Sequence, residues 1–375
     1  MYAKRLSESD FRQMAHEWQR CLAHSSANPV FLSWAWQYSW WEVWSQILGL
    51  ELVLIGVYDQ NDQLVGLGPF YRRAILTRVG VRVYRLYLIG SAWRLAPTVR
   101  TEYCGLVLPR GEELSVNHAI LDYVSRLHWD ELVCSDVVLE DLGQFAPSRF
   151  KCSAPLKRIT RGDDIGVRID TSGSFEGWLE KLGKNTRLKA YNRRRYLRGR
   201  GDLCFGLHDS QSDGDFFDCL NQFHQKRWGK AVFDADALRF HRLFLERLPL
   251  CGGNGELTSL RFNGECVSVL YDVVVANWRI NLQSGYVEDF DTKVSLGSLH
   301  LGFATEAAFQ AEGVGFYDLL AGSGKTHFYK SRFQGEVVKF LTFQVVRSRI
   351  LNGLYRLQAV SPQAVSRLFN KRSGL

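Results

Sequence analysis

Residues 255–285 read GELTSLRFNGECVSVLYDVVVANWRINLQSG and contain three β-patterned segments in close succession. The first two are joined by Asn263 and Gly264, a pair that favours a tight hairpin turn. Periodicity then predicts a helix from about Ser295 to Ala311 and a strand at residues 315–320. An antiparallel meander followed by a helix and another strand predicts an α+β fold, with helices covering a mostly antiparallel sheet.

The first half of the chain repeats this pattern. Residues 53–71, VLIGVYDQNDQLVGLGPFY, and residues 257–275, LTSLRFNGECVSVLYDVVV, each read as strand, polar turn containing Asn, and strand. Both follow segments with helical periodicity that are rich in aromatic residues. The similarity suggests that one type of domain is present twice.

Length and composition set the domain prediction. The chain has 375 residues, of which 46% are hydrophobic and 23% charged, as in ordinary globular proteins. At about 150 residues per domain, this length suggests two domains. We predict one over residues 1–150, a second over 160–345 and a basic amphipathic helical tail over 346–375, with the region 143–164 as the connection.

The net charge of +8 has a local origin. The segment Lys181–Arg200 holds nine basic residues and no acidic one, and without it 38 basic residues face 39 acidic ones. On a helical projection Leu188 and Tyr191 lie opposite Ala190 and Leu197, so no single apolar stripe is apparent. We therefore expect the segment to bind an anionic partner: a coenzyme phosphate, an anionic glycan or lipid precursor, or tRNA.

The spacing of cysteines and histidines bears on the cellular compartment and on metal binding. The eight cysteines are dispersed without a C-x-x-C pair, a pattern typical of reduced thiols in a cytoplasm. We expect a cytoplasmic protein whose tail contacts either the inner membrane surface or its own domain. The nine histidines show no metal-ligand spacing, and we predict no metal site.

Several segments together resemble a known family. They are FLSWAWQYSWWEVW (31–44), QLVGLGPF (63–70), LNQFHQKRWGK (220–230), RFHRLFLERL (239–248), NLQSGYVEDFDTKVSLGSLHLGFATEAA (281–308) and FYDLLAGSGKTHFYKSRF (316–333). Their order and spacing resemble the CelD-like, FemAB-related branch of the GNAT acyltransferases, which is associated with exopolysaccharide or cellulose synthesis. The resemblance implies two tandem GNAT-like domains, the second of which carries the acyl-CoA site.

The resemblance also implies a function. The expected enzyme transfers an acyl group from acetyl-CoA or a longer acyl-CoA to nitrogen or oxygen of a small-molecule or glycan acceptor, such as a sugar or amino-sugar intermediate of envelope polysaccharide. Two alternatives stay open: a FemAB-like transferase that uses aminoacyl-tRNA, and a non-catalytic scaffold in polysaccharide assembly. Apart from tRNA in that alternative, we expect no nucleic-acid partner.

The donor would bind at the start of the helix predicted after residue 294. Ser295, Gly297 and Ser298 are small, so their backbone N–H groups can approach a pyrophosphate, aided by the helix dipole. These residues serve equally well as ordinary helix caps. Lys330 is a further candidate for holding a phosphate.

Three residues are candidates for proton transfer. His224 lies in a block that resembles the family's His and Arg-Trp pattern, and Asp318 lies in an apolar strand where burial would raise its pKa. Tyr329 is a candidate acid for the leaving thiolate.

Acceptor binding is predicted for three further residues. Arg227 and Trp228 follow His224 by one helical turn, and Arg194 belongs to the basic segment.

Overall fold

The computed structural model describes residues 1–77, 80–92, 95–152, 155–322 and 330–360. The chain divides into two compact units. The first contains residues 1–164 and 339–375, and the second contains residues 165–338.

The elements of residues 1–170 are, in chain order, β1 (Tyr2–Leu6), α1 (Glu8–Gln13), α2 (Ala15–Ala23), α3 (Trp34–Ile47), β2 (Glu51–Tyr58), β3 (Leu64–Leu76), β4 (Arg82–Leu88), α4 (Glu113–Arg126), β5 (Glu131–Val138) and β6 (Lys157–Asp170). Capping side chains explain where two of these helices begin. The spacing of Ser7 and Asp10 in the sequence predicts a capping box, and the structure contains it. The Ser33 side chain accepts a hydrogen bond from the Trp36 N–H.

The later elements are α5 (Phe175–Lys181), α6 (Lys184–Arg187), α7 (Arg193–Arg198), β7 (Leu203–Leu207), α8 (Ser210–Asp213), α9 (Phe216–Trp228), α10 (Ala235–Arg247), β8 (Gly253–Phe262), β9 (Glu265–Val275), β10 (Trp278–Tyr286), α11 (Leu296–Gln310), β11 (Phe316–Ala321), β12 (Glu336–Val346) and α12 (Arg349–Val360). A π-helical turn, Leu188–Asn192, lies between α6 and α7. The meander over residues 255–285 is confirmed as β8, β9 and β10, with Asn263 and Gly264 in the turn.

Strands of the first unit follow the order β1-β2-β3-β4-β5-β12. The neighbours pair antiparallel except β4 and β5, which run parallel from Arg85/Glu131 to Tyr87/Val133. Helix α4, which connects β4 to β5, buries Ile120 in a core that includes Leu86 and Leu132.

Strands of the second unit follow the order β6-β11-β10-β9-β8-β7. Only β10 and β11 are parallel among these described pairs, from Trp278/Phe316 to Ile280/Asp318, and α11 connects them. Each unit thus contains a meander, a helix and a parallel strand. The predicted α+β fold class, with mostly antiparallel strand pairing flanked by helices in both units, is confirmed.

Two local predictions are wrong. Alternation at residues 103–109, YCGLVLP, predicts a strand, but this segment forms only two isolated bridges, Leu67–Val107 and Ser25–Pro109. The expected connection, 143–164, contains the first half of β6. That half is mostly exposed and charged, so it lacks the apolar alternation by which strands are recognised.

The unit boundaries differ from the predicted ones at the C-terminal side. Residues 339–345 were expected in the second domain, but they belong to the first unit because β12 pairs with β5 from Phe340/Val138 to Val346/Glu131. Helix α12 begins the predicted tail. Its Tyr355 hydroxyl donates a 2.6 Å hydrogen bond to Glu131, which docks the helix on the first unit. Residues 361–375 lie outside the described part of the chain.

The basic segment packs more tightly than expected. Ala190, Arg194 and Leu197 are buried at helical spacing, so the expectation that no stripe faces the protein is wrong. The Ala190 carbonyl oxygen approaches Gly302 of α11 so closely that a Cβ on Gly302 would lie 2.0 Å from it.

No helix in the described ranges is both long enough and apolar enough to cross a membrane.

The close approach at Gly302 predicts a specific destabilisation. Because backbone atoms cannot yield as a side chain can, we expect Gly302→Ala to lower the free energy of unfolding by about 1–3 kcal/mol. Chemical denaturation measures this effect. Gly206→Ala in β7 is the matched control, since a Cβ there meets no atom within 4 Å. An equal loss in both variants would contradict the packing argument.

Candidate active site

A cavity of about 500 Å³ lies in the second unit where β10 and β11 separate. Ile280 and Asp318 form the last parallel pair, and β10 lines the cavity from Asn281 to Tyr286. Helices α9 and α11 supply other walls. The separation therefore opens the sheet next to the first turn of α11.

Most of the predicted site residues line this cavity. They are His224, Arg227, Trp228, Ser295, Gly297, Ser298 and Lys330. Asp318 and Arg194 do not line it, and Tyr329 lies outside the described residues. The structure brings the predicted residues together, and their roles stay predictions.

His224 projects from α9 towards β10. Its Nε2 lies 2.9 Å from the Ser284 carbonyl oxygen, so Nε2 carries the proton and donates it. This tautomer leaves the lone pair on Nδ1. Burial, and then the Arg227 charge, lowers the His224 pKa below its usual value. The imidazole is therefore neutral at neutral pH and able to accept a proton.

Arg227 and two aromatic rings form one wall. The guanidinium donates to the Tyr286 hydroxyl and lies 4.8 Å from the ring centroids of both Tyr286 and Trp228. Glu288 lies 3.3 Å from Nε of Arg227 and compensates part of its charge. The Trp228 side chain is largely exposed, so the wall offers a flat apolar surface to solvent.

The start of α11 is suited to binding an anion. Ser295 occupies the N-cap position, but its side chain does not cap the helix and instead lies 3.0 Å from the Ser298 hydroxyl. No acidic residue occupies the first turn. Such a helix end presents N–H groups and a positive dipole to an anion. A Cβ on Gly297 would lie 2.6 Å from the Tyr286 ring, so glycine permits that ring to pack over the turn.

Lys330 and Asp318 support the end of β11. The Lys330 ammonium donates to the carbonyl oxygen of Leu319 and lies 3.5 Å from that of Leu320. Asp318 is fully buried and accepts a 2.7 Å hydrogen bond from the Leu320 N–H, where the backbone turns left-handed. These contacts give both residues a structural task at the strand end.

Arg194 points away from the cavity. It pairs with Glu306 of α11, and its guanidinium lies 3.6 Å from the Phe303 ring centroid. The residue is buried, and it holds the basic segment against α11. This position does not favour the predicted contact with an acceptor.

Sequence reasoning missed a buried polar cluster beside the cavity. Asp272 accepts hydrogen bonds from Arg279 at 2.7 Å, Asn281 at 2.8 Å and Tyr317 at 3.0 Å. Burial raises the Asp272 pKa. Because Asn281 also lines the cavity, the cluster orients its amide there. In the sequence, the sign of this cluster is the presence of charged residues within the otherwise apolar strands at 265–275 and 278–286.

One group of potential metal ligands lies elsewhere in the described chain. His208, Asp213 and Cys266 have ligand atoms within 4.8 Å of one another. Asp213 already receives two hydrogen bonds from Arg261, at 2.9 and 2.6 Å. None of the three lines the candidate active site.

Part of the chain matches one sequence family, and the fold of the chain is similar to several solved structures. Residues 184–331 match the Acetyltransferase (GNAT) domain family. No curated protein matches the chain. The FemX crystal structure is similar with a TM-score of 0.61 at 11% identity, over 94% of this chain and 99% of FemX.

Two further structures are similar. A conserved protein of unknown function from Bacteroides thetaiotaomicron has a TM-score of 0.54 at 9% identity, over 92% of this chain and 99% of that protein. A tandem GNAT protein from the clavulanic acid biosynthesis pathway has a TM-score of 0.46 at 8% identity, over 92% and 98%. At these identities a structural likeness concerns the fold alone. The family match covers α9, α11 and all residues that line the cavity, so this part of the chain is similar to a GNAT-type acetyltransferase domain.

Proposed function

We propose that the protein is an acyltransferase that uses acetyl-CoA or a longer acyl-CoA as its donor. The observation that carries the proposal is the cavity at the separation of β10 and β11, which opens beside the uncapped start of α11. An acyl-CoA donor fits both features, because its long, narrow pantetheine arm carries the acyl thioester at one end and phosphates at the other.

The donor would lie along β10. Its pyrophosphate would accept hydrogen bonds from the N–H groups at the start of α11, beside Ser295 and Ser298. The acyl arm would run towards Asn281, where a bulge interrupts the pairing of β10 with β9. Backbone N–H groups fixed near a thioester carbonyl stabilise the oxyanion that forms when it is attacked.

Proton transfer would centre on His224. Its Nδ1 would accept the proton of the acceptor amine or hydroxyl as the nucleophile attacks the thioester carbonyl. The C–S bond then breaks and the coenzyme leaves as a thiolate, which Tyr329 would protonate. Lys330, held at the end of β11, would place positive charge near the phosphates.

The acceptor would enter past Arg227 and Trp228. Their wall combines a guanidinium with an exposed indole, which suits a ring that carries polar substituents. Resemblance to the CelD-like branch supports a sugar, an amino sugar or a related intermediate of envelope or exopolysaccharide. The acyl group would be transferred to an amino group or to a hydroxyl group of that acceptor.

We further propose that the protein works in the cytoplasm, with its tail at the inner membrane surface. Ile350 and Leu357 of α12 are 70% and 61% exposed, and exposed arginines accompany them. Exposed apolar and basic side chains on one helix favour contact with anionic lipids.

Ser295→Asp tests the donor site. Aspartate is a good N-cap, so we expect the melting temperature to be kept. Its carboxylate would repel the phosphates, so titration calorimetry should show acetyl-CoA affinity reduced by about tenfold or more, close to 1.4 kcal/mol. Ser174→Asp at the N-cap of α5 is the matched control, since Ser174 does not line the cavity. Undiminished acetyl-CoA binding by Ser295→Asp would remove the phosphate site.

His224→Gln tests the base. Glutamine can still donate to the Ser284 carbonyl, but it cannot accept a proton, so we expect kcat to fall by about 10²–10⁴ with little change in KM for the donor. In the wild type, the lowered His224 pKa keeps the imidazole neutral at pH 7. The rate should therefore fall only as the pH drops below about 6.5, the ordinary histidine pKa. A kcat unchanged by the substitution would refute the assignment.

A second candidate function is transfer from aminoacyl-tRNA. The observation that favours it is the exposed part of the basic segment, where Lys184, Lys189, Arg195, Arg198 and Arg200 all face solvent. Such a surface can bind phosphates of the tRNA backbone.

A tRNA mobility shift distinguishes the two functions. We expect replacement of Arg195, Arg198 and Arg200 by Gln to abolish a shift if tRNA is the donor carrier. The control replaces three exposed arginines outside the segment, Arg20, Arg110 and Arg349. If wild-type protein gives no shift at low salt, the tRNA function is excluded.

A further inference from the structure

Three side chains that can bind a metal ion meet in the second unit, away from the candidate active site. His208 follows β7, Asp213 is the last residue of α8, and Cys266 lies near the start of β9. One ligand atom of each lies within 4.8 Å of those of the other two. Because the three residues come from separate segments, the spacing of histidines and cysteines in the sequence did not predict that they meet.

His208 is oriented as metal-binding histidines usually are. Its Nε2 lies 2.9 Å from the Gly214 carbonyl oxygen, so Nε2 carries a proton and donates it. A metal-bound imidazole almost always donates its other ring N–H to a carbonyl, a carboxylate or water, which fixes the ring and its tautomer. The Phe216 ring packs edge-on against the imidazole at 5.3 Å. The orientation of Nδ1 is therefore fixed as well.

The Nδ1 atom of His208 is buried without a hydrogen bond. The side chain is 1% exposed, and Nδ1 has no hydrogen-bond partner among the described residues. It lies 3.8 Å from Oδ2 of Asp213, which is too long for a hydrogen bond. Two ligand atoms of a tetrahedral zinc ion lie about 3.4–3.6 Å apart, given bonds of about 2.0–2.3 Å. The observed separation is close to that of two atoms sharing one ion.

Arg261 is a positive charge in contact with the same carboxylate. It lies directly opposite Cys266 in the pairing of β8 with β9, and it donates to Asp213 at 2.9 and 2.6 Å. Both bonds end on Oδ2, and within the described ranges none ends on Oδ1. An ionised carboxylate has about four lone-pair sites, and ligating carboxylates are commonly held by a second partner. Arg261 therefore leaves Asp213 able to bind a metal ion.

Cys266 supplies a sulfur ligand. Its Sγ lies 3.8 Å from the Ser268 carbonyl oxygen. Burial, and then the Asp213 charge, raises the pKa of the Cys266 thiol to about 12. Coordination to a metal ion removes this proton, which passes to solvent. One carboxylate and one thiolate then balance the charge of a divalent ion, so Arg261 faces a site without net positive charge.

We propose that His208, Asp213 and Cys266 bind one Zn²⁺ ion. Nδ1 of His208, a carboxylate oxygen of Asp213 and the Cys266 thiolate are its protein ligands, and water takes the fourth position. Imidazole, carboxylate and thiolate together suit Zn²⁺, whereas Ca²⁺ and Mg²⁺ take oxygen ligands. The ion joins the segment that contains α8 to β9. This site does not depend on the proposed acyl transfer, because none of its residues lines the candidate active site.

Metal titration of the full-length protein tests the site. After treatment with a chelator and removal of the chelator, titration with Zn²⁺ against a chromophoric indicator should show one tightly bound ion per chain. Bound zinc should also raise the melting temperature, because it binds only the folded site tightly. Ca²⁺ and Mg²⁺ should do neither. If no zinc binds, a proton and not a metal lies between His208 and Asp213, and the proposal is overturned.

Cobalt identifies the sulfur ligand. Co²⁺ in place of Zn²⁺ should give the thiolate-to-metal charge-transfer band in the near ultraviolet that marks coordination by cysteine. Addition of Zn²⁺ should remove the band, because Zn²⁺ competes for the same ligands. A bound Co²⁺ ion without this band would refute coordination by Cys266.

Substitutions locate the ion. We expect Cys266→Ser and His208→Gln each to weaken Zn²⁺ binding about tenfold or more, and Cys266→Ser to abolish the cobalt band. The matched controls are Cys152→Ser, at a partly buried cysteine of the first unit, and His24→Gln, at an exposed histidine. Both controls should bind Zn²⁺ as the wild type does.

The outcomes for the variants decide the ligand set. Melting temperatures measured without zinc show whether each variant is folded. If folded Cys266→Ser or His208→Gln binds Zn²⁺ as tightly as the wild type does, the assigned site is wrong. Should a variant fail to fold, the zinc stoichiometry and the cobalt spectrum of the wild-type protein still decide whether a cysteine-containing site exists.

Discussion

The separation of β10 from β11 after three paired residues is the constraint on which the candidate active site depends. Parted strands leave backbone groups that must find other partners. His224 donates to the Ser284 carbonyl on one strand, and Lys330 donates to the Leu319 carbonyl on the other. Side chains that line the cavity therefore also stabilise the separated strands. The same residues serve the proposed chemistry and the stability of the unit.

The first unit also contains a pair of parallel strands that separate, but the residues around the separation differ. Strands β4 and β5 also part after three paired residues, and a residue with left-handed φ follows on each diverging strand, Asp136 in β5 and Leu320 in β11. The two connecting helices differ, because α4 begins with Glu112 and Glu113 whereas α11 has no acidic residue in its first turn. A phosphate is therefore favoured at the start of α11 and disfavoured at the start of α4.

Features carried by neighbouring residues were predictable from the sequence. The meander over 255–285, the capping box at Ser7 and the grouping of Ser295 with Ser298 are local, and the structure contains all three. The charged residues within these apolar strands were visible in the sequence, but the partners that meet at Asp272 were not predictable, because strand register decides which polar residues meet. Residues 157–163 were missed for a related reason: an exposed, charged strand carries no apolar alternation.

Arg194 shows why counting charges overestimates a binding surface. Its guanidinium pairs with Glu306 and covers Phe303, so one of the nine basic residues stabilises the protein itself. It also occupies the middle position of the stripe formed with Ala190 and Leu197. A helix projection that treats arginine as polar breaks this stripe in two, although the stem of an arginine packs as an apolar chain. The exposed charges, and not the total of +8, define the surface available to a partner.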